Sequence, residues 1–323
     1  MRSFIAVAGM IAIALGATAA AQEANYPTRP IELVVPFPAG GATDVIARLA
    51  AQSITEKTGQ LVVIQNKAGA TGAIGSEYVA RATPDGYTLL VATASTHAVL
   101  PAYRRDLSYD TVSSFETATL LATFPNLLVV NPKKVPVHTA AELIALLKSK
   151  PGQLNFGSSG LGGSVHFAGE LFKMMTRTEM LHVPYRGSAP ALNDLLAGNV
   201  DLVFDNITTV WPQVQQGNLR AIGVAGLQRS PLVPEVPTIA ETVPGFEALS
   251  WVGVVAPAKT PPTVLQKIAD LFGATMRQPE LANRLAELGA TATANTQAEF
   301  KRFLIEDRTK WQRLSDQANL WAK

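Results

Sequence analysis

Apolar residues along the chain fall into short unbroken runs that alternate with segments of helical spacing. Ile31 to Val35 is short, rich in β-branched residues and followed by turn chemistry, which predicts a buried strand. Behind it Val45, Ile46, Leu49 and Ala50 recur at helical spacing, and Asp44 in the first turn suits the positive end of a helix dipole. Leu61 to Gln65 predicts a second strand, and a helix carrying Ile74, Tyr78 and Val79 follows it. Tyr87 to Thr93 predicts a third strand beyond the turn Pro84-Asp85-Gly86. Strand and helix in strict alternation imply a parallel sheet.

The same pattern restarts beyond the strand Leu127 to Val130. Thr139 with Glu142 forms a capping box ahead of a helix through Leu147, and Leu154 to Phe156 is a short strand. A glycine-serine loop leads into a helix with Val165, Ala168, Phe172 and Met175 on one face. Leu181 to Pro184, a helix through Leu192 and Leu196, and strands at Asp201 to Phe204 and Leu219 to Val224 complete a second parallel unit. Pro231, Pro234, Pro237 and Pro244 punctuate an irregular stretch, after which Trp251 to Ala256 reads as a returning strand. The remainder is helical: Val264, Ile268, Leu271 and Phe272 keep helical period, and Thr296 with Glu299 caps a helix carrying Phe300, Leu304, Trp311 and Leu314. These helices need a sheet to pack on, and the first half is short of helices. The expected organisation is therefore a discontinuous lobe 1 (residues 22–129 and 250–323) and a lobe 2 (residues 130–249), hinged at two crossovers near Val130 and Trp251.

A length of 323 residues agrees with two lobes at roughly 150 residues per domain. The absence of cysteine removes disulfides, thiolate metal sites and cysteine nucleophiles. A formal charge of +2, without any basic run, gives nothing that would track a nucleic-acid backbone. The first residues have export character: Arg2, then an apolar stretch from Phe4 to Leu15, then the small residues Ala19-Ala20-Ala21. The apolar part falls short of the roughly 20 residues that span a bilayer, so cleavage after Ala21 and release into a periplasm are expected.

Each half carries a glycine-rich turn between a strand and a helix: Pro36-Phe37-Pro38-Ala39-Gly40-Gly41 in the first, and Gly157-Ser158-Ser159-Gly160-Leu161-Gly162-Gly163-Ser164 in the second. Strand ends in open α/β sheets border the ligand crevice, and the helix start beyond them offers unpaired N–H donors. Neither turn contains Lys or Arg, so a carboxylate suits them better than a polyphosphate. The plainer alternative is that both turns only start helices. No Walker or dinucleotide pattern fits. The nucleophile elbow is missed by one residue, leaving a Ser-dependent hydrolase through Ser158 or Ser159, His166 and Asp205 as the alternative function. His97, His138, His166 and His182 lack metal-ligand spacing, and no metal or cofactor is expected. Ser95 and Thr96 end a lobe 1 strand and are candidate hydroxyl donors. Asp205 and Asn206 end a lobe 2 strand, where a cap and a selectivity element are both open readings. Arg186 weighs towards a surface cation.

Tyr26-Pro27, Arg29-Pro30-Ile31, the Pro36 to Gly41 turn with Asp44, Pro84-Asp85-Gly86-Tyr87-Thr88-Leu89, Gly157-Ser158-Ser159-Gly160 with Gly163 and His166, and Val183-Pro184-Tyr185-Arg186-Gly187 together resemble the Bug family. These are extracytoplasmic solute receptors of tripartite tricarboxylate transporters, and the resemblance runs along essentially the whole mature chain. It implies a periplasmic binding protein-like (type II) Venus flytrap, a non-enzymatic monomer that closes on a small carboxylate. A di- or tricarboxylate, an acidic amino acid and an aromatic carboxylate all qualify. It carries the ligand role onto Phe37, Pro38, Ala39, Gly40, Gly41, Ser158, Ser159, Gly163 and Ser164, and more weakly onto Ser95, Thr96 and Asp205. The implied partners are the integral membrane subunits of such a transporter.

Overall fold

The computed structural model describes residues 25–322; the expected signal peptide lies outside the described residues. Strand β1 (Ile31–Val35) leads into helix α1 (Ala42–Thr58), β2 (Val62–Asn66), α2 (Ala73–Ala80) and β3 (Thr88–Thr93). A π-helical turn, Ala94–Val99, and the short α3 (Leu100–Tyr103) follow. The second half comprises β4 (Phe115–Val130), α4 (Ala140–Ser149), β5 (Asn155–Ser158), α5 (Ser164–Thr176), β6 (Leu181–Pro184), α6 (Ser188–Ala197), β7 (Leu202–Asn206), α7 (Ile207–Gln215) and β8 (Arg220–Val224). The chain then returns through β9 (Leu249–Pro257), α8 (Pro262–Met276), α9 (Pro279–Glu287), β10 (Thr291–Ala292) and α10 (Gln297–Ala318).

The strands form one sheet in the order β2-β1-β3-β9-β4-β7-β5-β6, with β8 and β10 also on β4. The two parallel cores read from the sequence are present, as β2-β1-β3 and β6-β5-β7. Antiparallel strands join them, so the sheet is mixed. Strand β4 is the shared element: Phe115 to Pro125 pairs with β9, and Asn126 to Val130 pairs with β7 and β8. The sequence reading placed a strand only at Leu127 to Val130; the preceding stretch, rich in Thr and Ala, is a strand because β9 and β10 pair with it.

Period-two alternation along β9 splits the core. Val252, Val254 and Ala256 face Ile46, Ala50 and Ile54 of α1 and Ile268 and Phe272 of α8, while Trp251 and Val255 face Phe300, Leu304 and Trp311 of α10. All are buried, and each large side chain contributes about 1.5–3 kcal/mol relative to exposure. The C-terminal helices thus pack on the first half, as their apolar faces require. Both capping pairs form: Thr139 Oγ1 accepts the Glu142 N–H, and Thr296 Oγ1 the Glu299 N–H. Glu299 also returns a carboxylate to the Thr296 N–H, whereas Glu142 reaches His138 N–H instead. No helix among the described residues is long and apolar enough to cross a membrane.

Candidate functional site

A cleft of about 570 Å³ opens where the two halves of the sheet meet, and both halves line it. The first wall is the turn after β1. Gly40 holds φ +85°, a conformation that costs a residue with a Cβ about 1–2 kcal/mol. Asp44, buried in the first turn of α1, accepts hydrogen bonds from Gly40 N–H (2.9 Å), Arg48 Nε (2.8 Å) and Asn66 Nδ2 (2.8 Å). Asn66 Nδ2 also donates to Phe37 O at 3.0 Å, so one network fixes the turn. Burial raises the Asp44 carboxyl, but the bonds from Arg48, Gly40 and Asn66 outweigh it and hold the pKa below the usual value. Asp44 itself does not line the cleft, and its charge is paired with Arg48.

The second wall comes from the other half. Ser159 follows β5 and Ser164 opens α5, and both reach the cleft beside Ser95 of the π-helical turn. Ser95 Oγ donates to Ser164 Oγ at 3.0 Å and accepts the Ser164 N–H at 3.0 Å, a bond pair that ties the halves together. Thr71 Oγ1 adds a third tie by donating to Leu161 O at 2.7 Å.

Two further strand ends complete the site. Arg186, Gly187 and Ser188 carry the chain from β6 into α6, and Asn206, Thr208 and Thr209 start α7. Four helix N-termini, those of α1, α5, α6 and α7, therefore border the space. The partial positive charge of these helix starts, and those of their N–H groups that are left unpaired, suit the space to an anion. Among the described residues no acidic side chain lines it, and Arg186 is the lining cation. Phe37, Phe124, Leu192, Trp251 and Leu288 give it apolar walls suited to a hydrocarbon body.

Of the residues singled out from the sequence, Phe37, Pro38, Ala39, Gly40, Gly41, Ser95, Ser159 and Ser164 line the cleft. Four lie behind it. Thr96 is buried; its hydroxyl accepts the Thr93 N–H at 3.1 Å and is hydrogen-bonded to His97 Nδ1 at 2.9 Å. Ser158 is buried against His182 Nε2 at 2.6 Å. Gly163 caps α5, where its carbonyl accepts the Phe167 N–H. Asp205 lies within β7, not beyond it, and its Oδ1 accepts from Asn206 N–H at 2.7 Å and Ser188 Oγ at 3.0 Å. Burial pushes this carboxyl up to about 6, against the pull of those two bonds. The sequence reading did not place Ser188, Asn206, Thr208 or Trp251 in the site, and weighed Arg186 towards a surface cation. A third strand-glycine-helix passage at Tyr185-Arg186-Gly187-Ser188 was the available signal.

Ser158, His166 and Asp205 do not form a catalytic constellation. Ser158 meets His182, while His166 Nδ1 accepts the Gly162 N–H at 3.1 Å and its ring stacks on His182 at 3.9 Å. Burial lowers His182 to about 4, and burial with the neighbouring His182 lowers His166 to about 2, so both rings are neutral at pH 7. Asp205 bonds to Ser188 Oγ and Asn206 N–H and to neither ring. The described residues contain no group of three or more His, Asp or Glu placed to hold a metal ion.

The family model described as tripartite tricarboxylate transporter family receptor matches residues 46–320. Protein BugT of Bordetella pertussis is 34% identical over 313 residues, covering 96% of this chain and 96% of its own. Among solved structures, Rpa4515 of R. palustris with adipate superposes with a TM-score of 0.87 at 37% identity, covering 91% of this chain and 99% of that one. MatC (Rpa3494) from Rhodopseudomonas palustris with bound malate gives a TM-score of 0.83 at 31% identity, covering 90% and 99%.

Proposed function

From the premise that the chain belongs to the tripartite tricarboxylate transporter receptor family, a family of solute-binding receptors, we propose that it captures a small carboxylate between its two halves. The observation that carries this reading is the convergence of four helix N-termini, from both halves, on a cleft with no acidic lining side chain. Adipate and malate are carboxylates held by two similar proteins, and both fit the chemistry of such a cleft. The ligand contacts are assigned to the Phe37 to Gly41 turn, Ser95, Ser159, Ser164 and the starts of α6 and α7. Thr96, Ser158, Gly163 and Asp205 support them from behind.

In this reading the two halves move as lobes about the point in β4 where it changes partners, between Pro125 and Asn126, and about the start of β9, where the chain returns to the first half. Closing brings Ser95 to Ser164 and Thr71 to Leu161, and these ties are made only when the cleft is shut. The protein binds and releases its solute unchanged, works in the periplasm after loss of residues 1–21, and hands the solute to integral membrane subunits. Thermal unfolding of the mature chain against a carboxylate panel tests this. A ligand at 100 times its dissociation constant adds about 2.7 kcal/mol of stability. A panel of di- and tricarboxylates, acidic amino acids and aromatic carboxylates that leaves the transition unmoved contradicts the reading.

A further inference from the structure

Ser188 is the first residue of α6 and lines the cleft. Its hydroxyl has a fixed direction, because Oγ donates to Asp205 Oδ1 at 3.0 Å. Asp205 is 2% exposed, and the same oxygen accepts the Asn206 N–H at 2.7 Å. An ionised carboxylate only accepts, so the single hydrogen of Ser188 points away from the cleft and its lone pairs remain for a ligand. The same wall holds two buried oxygens without a hydrogen-bond partner, Asn206 Oδ1 and Thr208 Oγ1, and both residues line the cleft. Pro190, in the first turn of α6, has no N–H to offer. Beside the backbone N–H groups, this wall therefore presents two acceptors that have lone pairs free, Ser188 Oγ, whose hydrogen is taken by Asp205, and Asn206 Oδ1, together with the Thr208 hydroxyl, which can accept or donate.

We propose that this wall selects carboxylates bearing a hydrogen-bond donor, a hydroxyl or an ammonium group, close to a carboxyl group. The proposal rests on the carboxylate-receptor reading above. Backbone N–H groups of the α6 and α7 starts take the carboxylate, and Ser188 Oγ, oriented by Asp205, accepts from the neighbouring donor. Asp205 is a positioning residue that does not touch the ligand. Arg186, the lining cation, attracts substituted and plain carboxylates of equal charge alike and does not contribute to the choice.

The test is isothermal titration at pH 7.5 with pairs that differ in the donor alone. Succinate is compared with malate, and 3-phenylpropanoate with phenyllactate, on the mature protein and on Ser188→Ala and Ser188→Thr; aspartate, which also differs from succinate by one unit of charge, is read only through its change between wild type and Ser188→Ala. At least one donor-bearing member is expected to bind tenfold or more tightly than its plain partner. Ser188→Ala should reduce that ratio to within threefold, and Ser188→Thr, which keeps the hydroxyl, should restore it. Plain members that bind as tightly as substituted ones overturn the proposal and leave the receptor reading intact. A ratio that survives in Ser188→Ala overturns the role of Ser188, and no binding by any member overturns the carboxylate reading together with this inference.

Discussion

Gly162 lies outside the cleft, yet its replacement should weaken ligand binding, because it touches the opposite half of the protein. Its φ is +69°, and a Cβ built there would stand 2.6 Å from Cδ1, 2.9 Å from Cγ and 3.0 Å from Cβ of Tyr103. These atoms are at the root of the tyrosine side chain, so rotation about its outer bonds gives no relief. Gly162→Ala carries two costs. Left-handed backbone at a residue with a Cβ costs about 1–2 kcal/mol and is present whether the cleft is open or shut. Overpacking against Tyr103 costs about 1–3 kcal/mol and applies only when the Leu161-Gly162 turn is seated on the first half. At 1.4 kcal/mol per tenfold, ligand affinity should fall by about 5-fold to 140-fold. The ligand-free protein should lose only the smaller, local strain. Titration calorimetry with the tightest ligand of the panel measures the first quantity and thermal unfolding the second. In a Tyr103→Ala background the extra affinity loss should disappear. Affinity within twofold of wild type in a folded Gly162→Ala variant, or an equal loss in both backgrounds, refutes closure through this contact.

Asp205 is held near 6 by burial, against 3.8 when free, so the folded chain keeps its proton where the unfolded chain has lost it. Its contribution to stability is complete below about pH 4 and is lost as the pH rises through 6, a change of ~3 kcal/mol at 1.36 kcal/mol per pH unit. Asp205→Asn should therefore gain stability relative to wild type between pH 4 and pH 7 in denaturant titrations, and a difference that stays constant or reverses contradicts the burial argument. Gly40→Val forces a β-branched residue to φ +85° beside the cleft, and binding should weaken by more than tenfold with the fold intact. Unchanged affinity takes this turn out of the site. Gly253→Ala on β9 drives a methyl group into the Phe300 ring of α10 and should cost about 1–3 kcal/mol of stability without changing which ligands bind. A neutral effect would show that α10 shifts freely on the sheet.

The elements that the sequence made legible are those whose signal is local. The turns after β1 and β5 show as glycine runs between an apolar strand and a helical period, and Thr139 and Thr296 announce their helices through acidic residues three positions on. Phe115 to Pro125 was not legible as a strand, because its pairing with Leu249 to Pro257 is decided more than a hundred residues away. Asp205 was found as a strand-end carboxylate. Its partner Ser188 is set by the placing of α6 beside β7, so the sequence suggested a carboxylate facing the cleft where the structure has it bonded to Ser188 and Asn206. Ser158 was singled out for its position in the serine loop, but whether it faced the cleft or His182 depended on the neighbouring strand β6. The α6 and α7 starts were missed as cleft lining, since Arg186 and Asn206 look locally like a surface cation and a cap.

The most direct test of a carboxylate gripped by both halves is a crystal structure of the mature protein with the tightest ligand of the panel. The account predicts carboxylate oxygens about 2.7–3.2 Å from backbone N–H or hydroxyl donors of the Phe37 to Gly41 turn or Ser95 on one side. On the other side, donors at the starts of α5, α6 or α7 should lie at similar distances. A ligand bound outside this cleft, or one held by a single half with the other turned away in every copy, would contradict it.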